Sequence, residues 1–312
     1  MSGRGATRAL VVGADGLIGA ALVSAWRQRC GEVVGTTRRR EAVRSAEMVL
    51  LDLADEDAAF ESLPAADVAF ICAAMTKLTE CRESPGLAER VNFTAPVRLA
   101  RRLVARGTRV VFLSTSAVMN CREPQMRAER PRYPSSVYGR WKAAAEEAIL
   151  ALGEGATVVR LTKVLTPDAP LLANWMAALA AGEEIVVFND HRIAPIGVQH
   201  AVDTLIAIGE QGEGGVYQVS GAHDMSYEEV ARHLAKRIGA PQRLVTGCPA
   251  ASRGIAPEDV LPFTSLDVSR LAALTGFVAP DPYALIDSMF DAQVGGRKAP
   301  APRIAAPMAL GG

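Results

Sequence analysis

Through the first half of the chain, short apolar runs alternate with longer stretches in which apolar positions recur every three to four residues. The runs at residues 9–13, 32–37, 48–52, 67–72, 109–114 and 157–161 have the length and mainly apolar character of strands buried on both faces. The intervening patterns predict helices over residues 16–30, 55–62, 85–106 and 135–152. In the first of these, Leu17, Ala20, Ala21 and Ser24 share a side and are the expected packed face. In the third, Val91, Leu99 and Leu103 are in phase, while Pro96 demands a kink or a fresh start after Thr94, because it has no N–H to continue the ladder. Strands separated by helices predict an α/β chain on a parallel sheet covered on both faces.

After about residue 165 the rhythm changes. Helices are expected over residues 171–181, 198–210 and 282–292, and strands over 184–188 and 215–220. Ser226 and Glu229 form a capping box that opens a helix to about Ile238, and Asp267 caps a short helix ending near Gly276. Residues 295–312 are rich in Gly, Ala and Pro and are expected to be a disordered tail. A chain of 312 residues exceeds the size at which one core tends to split. The expected organisation is therefore a nucleotide-binding α/β domain over residues 1–165, a smaller α/β domain over 166–294 partly interleaved with it, and the tail.

Composition narrows the classes of function. Basic and acidic residues number 34 each, so overall charge implies no attraction to nucleic acid or to a membrane surface. Cys30, Cys72, Cys81, Cys121 and Cys248 are scattered and odd in number, which suits a reducing cytoplasm. Neither they nor His191, His200, His223 and His233 show metal-ligand spacing, so no metal site is expected. The first eight residues are too short and polar for a signal peptide, and no apolar run approaches the roughly 20 residues of a membrane span.

The chemistry concentrates at the carboxyl ends of the expected strands. Gly13, Gly16 and Gly19 lie between the first strand and first helix, spaced GxxGxxG. There glycines permit a tight turn, backbone approach to a pyrophosphate and close helix packing. The second strand ends in Arg38, Arg39 and Arg40, where a fold that prefers NAD usually presents a carboxylate. Guanidiniums instead suit the 2′-phosphate of NADP, the other reading being a basic loop facing water. Asp52, after the third strand, is placed to accept from an adenine amino group or to cap a turn.

Tyr138 and Lys142 stand at i and i+4 on the expected helix 135–152, hence on one face. The ammonium in such a pair is expected to stabilise the phenolate and make the phenol a usable proton donor near neutral pH. With five Tyr and five Lys in the chain, chance supplies about 0.08 such pairs. Ser114, Thr115 and Ser116 end the fifth strand, where a hydroxyl can polarise a carbonyl or simply serve the turn.

Together these residues resemble an extended short-chain dehydrogenase/reductase: the Gly13–Gly19 turn, the Asp52-Leu53 pair, Cys72-Ala73-Ala74, Thr115, and Tyr138 with Lys142. Residues 73–83 leading into Val91, Asn92, Ala95 and Pro96 are similar to the dTDP-4-dehydrorhamnose reductase branch, as are residues 159–160, 215–221 and 266–271. The resemblance covers nearly the whole chain except its termini. It implies a Rossmann-like doubly wound parallel sheet with a smaller C-terminal α/β substrate-binding domain. It implies Tyr138 as proton donor, Lys142 on the nicotinamide ribose and depressing the Tyr138 pKa, and Thr115 orienting the substrate carbonyl. Gly13, Gly16, Leu17, Ile18 and Gly19 would line the pyrophosphate, Arg38 and Arg39 the 2′-phosphate, Asp52 and Leu53 the adenine, and Cys72, Ala73 and Ala74 the adenosine ribose side. The chain departs from the branch at residues 114–119, at 160–165, where Lys163 replaces an aromatic, and at 193–202. All three lie where substrate is expected.

The function implied is NADPH-dependent reduction of a 4-keto nucleotide sugar by a cytoplasmic enzyme. Arg160, Lys163 and Arg192 are candidates for the nucleotide diphosphate or are surface cations. Two alternatives remain at this level. One is an epimerase or dehydratase that retains its cofactor, which typically holds NAD through the strand-two carboxylate missing here. The other is a non-catalytic NADP-binding regulatory subunit, like that of methionine adenosyltransferase. The helices over 85–106 and 135–152 would make a homodimer face, as in relatives, or pack on the sheet.

Overall fold

The computed structural model describes residues 7–295, apart from 56–59 and 120. The segment before residue 7, residues 56–59 of the expected helix over 55–62, and the expected tail beyond Gly295 lie outside the described residues, while Phe60–Ser62 form a single 3-10 turn. The strands are β1 Ala9–Val12, β2 Val33–Thr37, β3 Met48–Leu50, β4 Val68–Ile71, β5 Arg109–Thr115, β6 Ala156–Leu161, β7 Val164–Leu165, β8 Ile185–Phe188, β9 Arg192–Ile193, β10 Ile196–Gly197, β11 Gly215–Val219, β12 Met225–Ser226 and β13 Val245–Cys248. The helices are α1 Leu17–Arg29, α2 Leu78–Glu83, α3 Pro85–Glu89, α4 Ala95–Ala105, α5 Val137–Leu150, α6 Pro170–Ala180, α7 Val198–Gln211, α8 Tyr227–Ile238, α9 Ser269–Thr275 and α10 Pro282–Gly295.

A seven-stranded sheet in the order β11-β6-β5-β4-β1-β2-β3 organises the molecule, and every pairing in it is parallel. β1, β4 and β6 are buried at every position, because helices cover both faces. One face packs around Leu22, Trp26, Phe70, Leu205 and Tyr217, with α1 against α7. The other packs around Leu99, Leu103, Phe112 and Ile149, beneath α4 and α5. A third core joins Trp175, Met176, Leu234 and Ile286 from α6, α8 and α10. Strand order reverses between β1 and β4, so their carboxyl ends open the crevice in which such sheets bind ligands.

Several expectations change. The packed face of α1 is Gly19, Leu22 and Trp26, whereas Leu17, Ala20 and Ser24 are exposed and Ala21 is only half-buried. The phase is set by Trp26, whose ring meets Phe70 of β4 edge-on at 5.3 Å, and by Gly19, which abuts the Gly13 carbonyl. The expected helix over 85–106 is two helices joined by a π-helical turn, Arg90–Thr94, and α4 starts afresh with Pro96 in its first turn. The wider turn accommodates Pro96, which has no N–H to offer the preceding turn. α2 and the two-residue strands carry too little periodicity to be read. The capping box is present: the Ser226 N–H donates to Glu229 at 2.6 Å, and the Glu229 N–H to Ser226 Oγ at 3.1 Å. β11, from the second half of the chain, completes the large sheet beside β6. No helix among the described residues is long and apolar enough to cross a membrane.

Candidate active site

The turn between β1 and α1 is built by excluding side chains. Gly13 has φ +84°, and a Cβ there would lie 2.9 Å from the Ala73 backbone. At Gly19 a Cβ would lie 2.1 Å from the Gly13 carbonyl oxygen. Gly16 occupies the N-cap of α1 with no side-chain cap, so the first N–H groups of the helix face the crevice without a partner from a capping side chain. That is an anion cradle. Leu17, 53% exposed, and half-buried Ile18 flank it. Ala73 closes the other side, its N–H donating to the Val12 carbonyl at 3.0 Å, with Cys72 and Ala74 half-buried next to it.

At the end of β2, Arg38 and Arg39 are exposed. The carboxylate missing from this strand arrives from the glycine turn. Asp15 Oδ2 accepts from Arg39 Nε at 2.9 Å and from Thr37 Oγ1 at 3.0 Å. Asp15 went unread, and only its place inside the glycine triplet could have flagged it. Arg38 makes no ion pair with a described residue, so it is the freer guanidinium of the two. Asp52 Oδ1 accepts from the Ala54 N–H at 2.9 Å, a turn role, and Leu53 is buried in the core with Leu10 and Val12.

Thr115 closes β5, and Tyr138 lies in the first turn of α5, whose N-cap Ser136 accepts from the Gly139 N–H. The start of α5 presses on the turn after Thr115: a Cβ on Gly139 would lie 2.3 Å from the Ala117 carbonyl. Thr115 Oγ1 accepts from the Ala117 N–H at 3.2 Å. The turn role is thus real, and it leaves the threonine proton free to donate outward. The neighbouring Ser114 Oγ is buried without a partner among the described residues.

Lys142 is 2% exposed; its Nζ donates to the Leu113 carbonyl at 2.5 Å and stands 3.7 Å from the Phe112 ring centroid. Burial pulls its pKa down to about 7, against the opposing charges of Glu146 and Cys72. Tyr138 is half-buried, and its hydroxyl bonds to no described residue. Burial raises the Tyr138 pKa, with Cys81 adding to it.

Further along the same face of α5 comes a residue that sequence reasoning passed over. Glu146 is fully buried and takes Arg160 of β6 in a two-pronged pair, 3.0 Å from Nε and 2.8 Å from Nη2. Arg160 also donates to Gln218 of β11 and to the Ala128 carbonyl. Arg160 is therefore neither a diphosphate ligand nor a surface cation but the centre of a buried network. Arg192 faces Glu229 at 3.8 Å. Lys163 alone of the three lacks a carboxylate partner among the described residues; burial lowers its pKa, and burial first, then the Lys163 charge, lowers that of His191. Among the described residues no cluster of His, Cys, Asp or Glu is placed to hold a metal ion.

The arrangement combines an anion cradle with three groups able to donate protons or hydrogen bonds at one sheet edge. Lys142 lies within electrostatic reach of Cys72, whose neighbour Ala73 abuts Gly13, so cradle and donors adjoin. A nicotinamide dinucleotide fits this edge: the positive φ of Gly13, the excluded Cβ at Gly19 and the uncapped helix end all suit a pyrophosphate.

Comparison with known proteins agrees. A family model described as RmlD substrate binding domain matches residues 7–292. The chain is 26% identical over 294 residues to a probable low-salt glycan biosynthesis reductase, Agl14, of Haloferax volcanii, covering 90% of this chain and 98% of that protein. It is 28% identical over 272 residues to a dTDP-4-dehydrorhamnose reductase of Mycolicibacterium smegmatis, covering 86% and 80%. Its fold matches a dTDP-4-dehydrorhamnose reductase of Bacillus anthracis solved in complex with NADP, with a TM-score of 0.75 at 19% identity over 91% of this chain and 98% of that one.

Proposed function

The chain belongs to the RmlD substrate binding domain family, and on that premise we propose that it is an NADPH-dependent reductase of a 4-keto nucleotide sugar, an oxidoreductase of the short-chain dehydrogenase/reductase type. One observation carries the reading: the Thr115 hydroxyl, the Tyr138 phenol and the Lys142 ammonium gather at the carboxyl edge of the sheet, beside a glycine turn that leads into an uncapped helix end.

In this reading Gly13, Gly16 and Gly19 let the pyrophosphate settle on the start of α1, with Leu17 and Ile18 covering it. Arg38 meets the 2′-phosphate, and Arg39 joins it by sharing its guanidinium with Asp15. Asp52 and Leu53 lie toward the adenine, and Cys72, Ala73 and Ala74 border the adenosine ribose. The nicotinamide, when bound, supplies a hydride. Thr115 donates its free proton in a hydrogen bond to the substrate carbonyl oxygen as charge develops there. Tyr138, kept protonated by its raised pKa, delivers the proton that completes the alcohol. Lys142 spends one of its three N–H donors on the Leu113 carbonyl, leaving two for the nicotinamide ribose and the phenol.

The same reading makes the compartment the cytoplasm and the assembly a homodimer across the helical segments over residues 85–106 and 135–152. Tyr138→Phe tests the mechanism. Keto-sugar-dependent NADPH oxidation should fall by about 10²–10⁴-fold while NADPH binding persists. A wild-type rate in that variant would end the proposal. Stoichiometric NAD carried through purification would instead mark an epimerase or dehydratase.

A further inference from the structure

We infer that Lys163 forms the centre of an oxyanion-binding subsite that reads a negatively charged group of the substrate. The inference rests on the reductase reading for the substrate's class and on the structure for the subsite. In the register of β5 with β6, Thr115 pairs with Leu161. Lys163 follows just past the carboxyl end of β6, on the edge where Thr115 and Tyr138 stand. Its carbonyl accepts from the Ile196 N–H at 2.9 Å, which fixes the backbone from which the side chain leaves.

Charge accounting singles this lysine out. Arg160 is neutralised by Glu146, Arg192 faces Glu229, and Arg82 of α2 pairs with Asp259. Lys163 is half-buried, pairs with no carboxylate among the described residues and donates no hydrogen bond to them. Taking an ammonium partly out of water without a partner is costly, and an arriving anion offsets that cost. Burial lowers the His191 pKa; the charge of Lys163 also lowers it, and Asp190 acts in the opposite sense. The His191 ring is held in place, stacked on Tyr227 with centroids 5.4 Å apart and met edge-on by Phe188 at 6.4 Å. Its Nδ1 accepts from the Leu261 N–H at 3.4 Å, which leaves Nε2 as the donor even in the neutral ring. Lys163 thus brings an unpaired cationic donor to the substrate edge, and the His191 Nε2–H, on which its charge acts, is the second donor. Their target is an oxyanion, which a nucleotide sugar offers either in its diphosphate or in a carboxylate on the sugar ring.

The test is equilibrium binding by calorimetry to the full chain and to Lys163→Met and Lys163→Arg. Because it needs no turnover, it stays readable if the reductase reading fails. The probes are thymidine diphosphate, uridine diphosphate, and UDP-glucose against UDP-glucuronic acid, which differ by one carboxylate. If the diphosphate is the target, Lys163→Met weakens both free diphosphates about tenfold or more. If the ring carboxylate is, free diphosphates bind as before and a preference for the uronate disappears. In either case Lys163→Arg retains most of the affinity, and NADPH binding and melting temperature stay at wild-type values. Wild-type binding of every probe by Lys163→Met overturns the inference, as does an equal loss of NADPH binding.

Discussion

The glycine turn and the layer formed by α5, β5 and β6 border the same crevice and are built in opposite ways. The turn works by having nothing at its critical positions: a single added carbon at Gly13 or Gly19 would collide with backbone. The α5 layer buries charge, placing Lys142, Glu146 and Arg160 at 2%, 0% and 1% exposure. Backbone donors need only room. Buried charges need partners, because an ion removed from water without one is strongly destabilising. The turn should therefore respond to added volume, and the layer to lost charge.

The largest effect expected on stability comes from breaking the buried network. Arg160→Met leaves the Glu146 carboxylate short of its main partner and should cost about 3–5 kcal/mol in chemical denaturation. The double variant Arg160→Met/Glu146→Leu should recover much of that, since no stranded charge remains. A cost below about 1 kcal/mol for the single variant would show that water reaches the pair and would erase the contrast between the two regions.

Gly19→Ala asks the converse question. Its added carbon forces the turn open, so stability should fall by about 1–3 kcal/mol and NADPH affinity should drop with it. Both are readable in one thermal titration. Unchanged NADPH affinity would mean that the turn does not hold the cofactor.

The smallest effect is a slope. Lys142 has its pKa lowered to about 7 from an ordinary 10.5, so between those values the unfolded chain holds a proton that the folded chain has released. Stability from this group should therefore rise with pH across that window. Lys142→Met should flatten the rise in the cofactor-free protein, as measured by urea midpoints near both ends of the window. An identical slope in both proteins would place the ammonium in solvent.

The two regions also differed in how far they could be read beforehand. The glycine turn was legible because its constraint is local: strand, spaced glycines and helix follow one another in the chain. The Tyr138 and Lys142 spacing was legible for the same reason, since helix geometry alone puts them on one face. The Ser226 and Glu229 box belongs with them. Arg160 was misread because a guanidinium has the same letter in solvent and in a core. Its partners lie 14 and 58 residues away, at Glu146 and Gln218, and only the sheet brings them together. Asp15 and Arg39, separated by 24 residues, met in the same unannounced way. The phase of α1 failed similarly, because the winning face is the one that finds Phe70 and the Gly13 carbonyl.

Taken alone, the sequence determined the class of fold, the order of its main strands and helices, and the family to which the chain belongs. The fold class and the order of elements follow from periodicity and spacing, which act between near neighbours, and the family from the resemblance of its motifs. The structure decided which charges are paired and buried, where Lys142 commits a donor, and which cation at the substrate edge is left without a carboxylate. Such outcomes depend on desolvation and on distances across the sheet, and neither exists until the chain has folded.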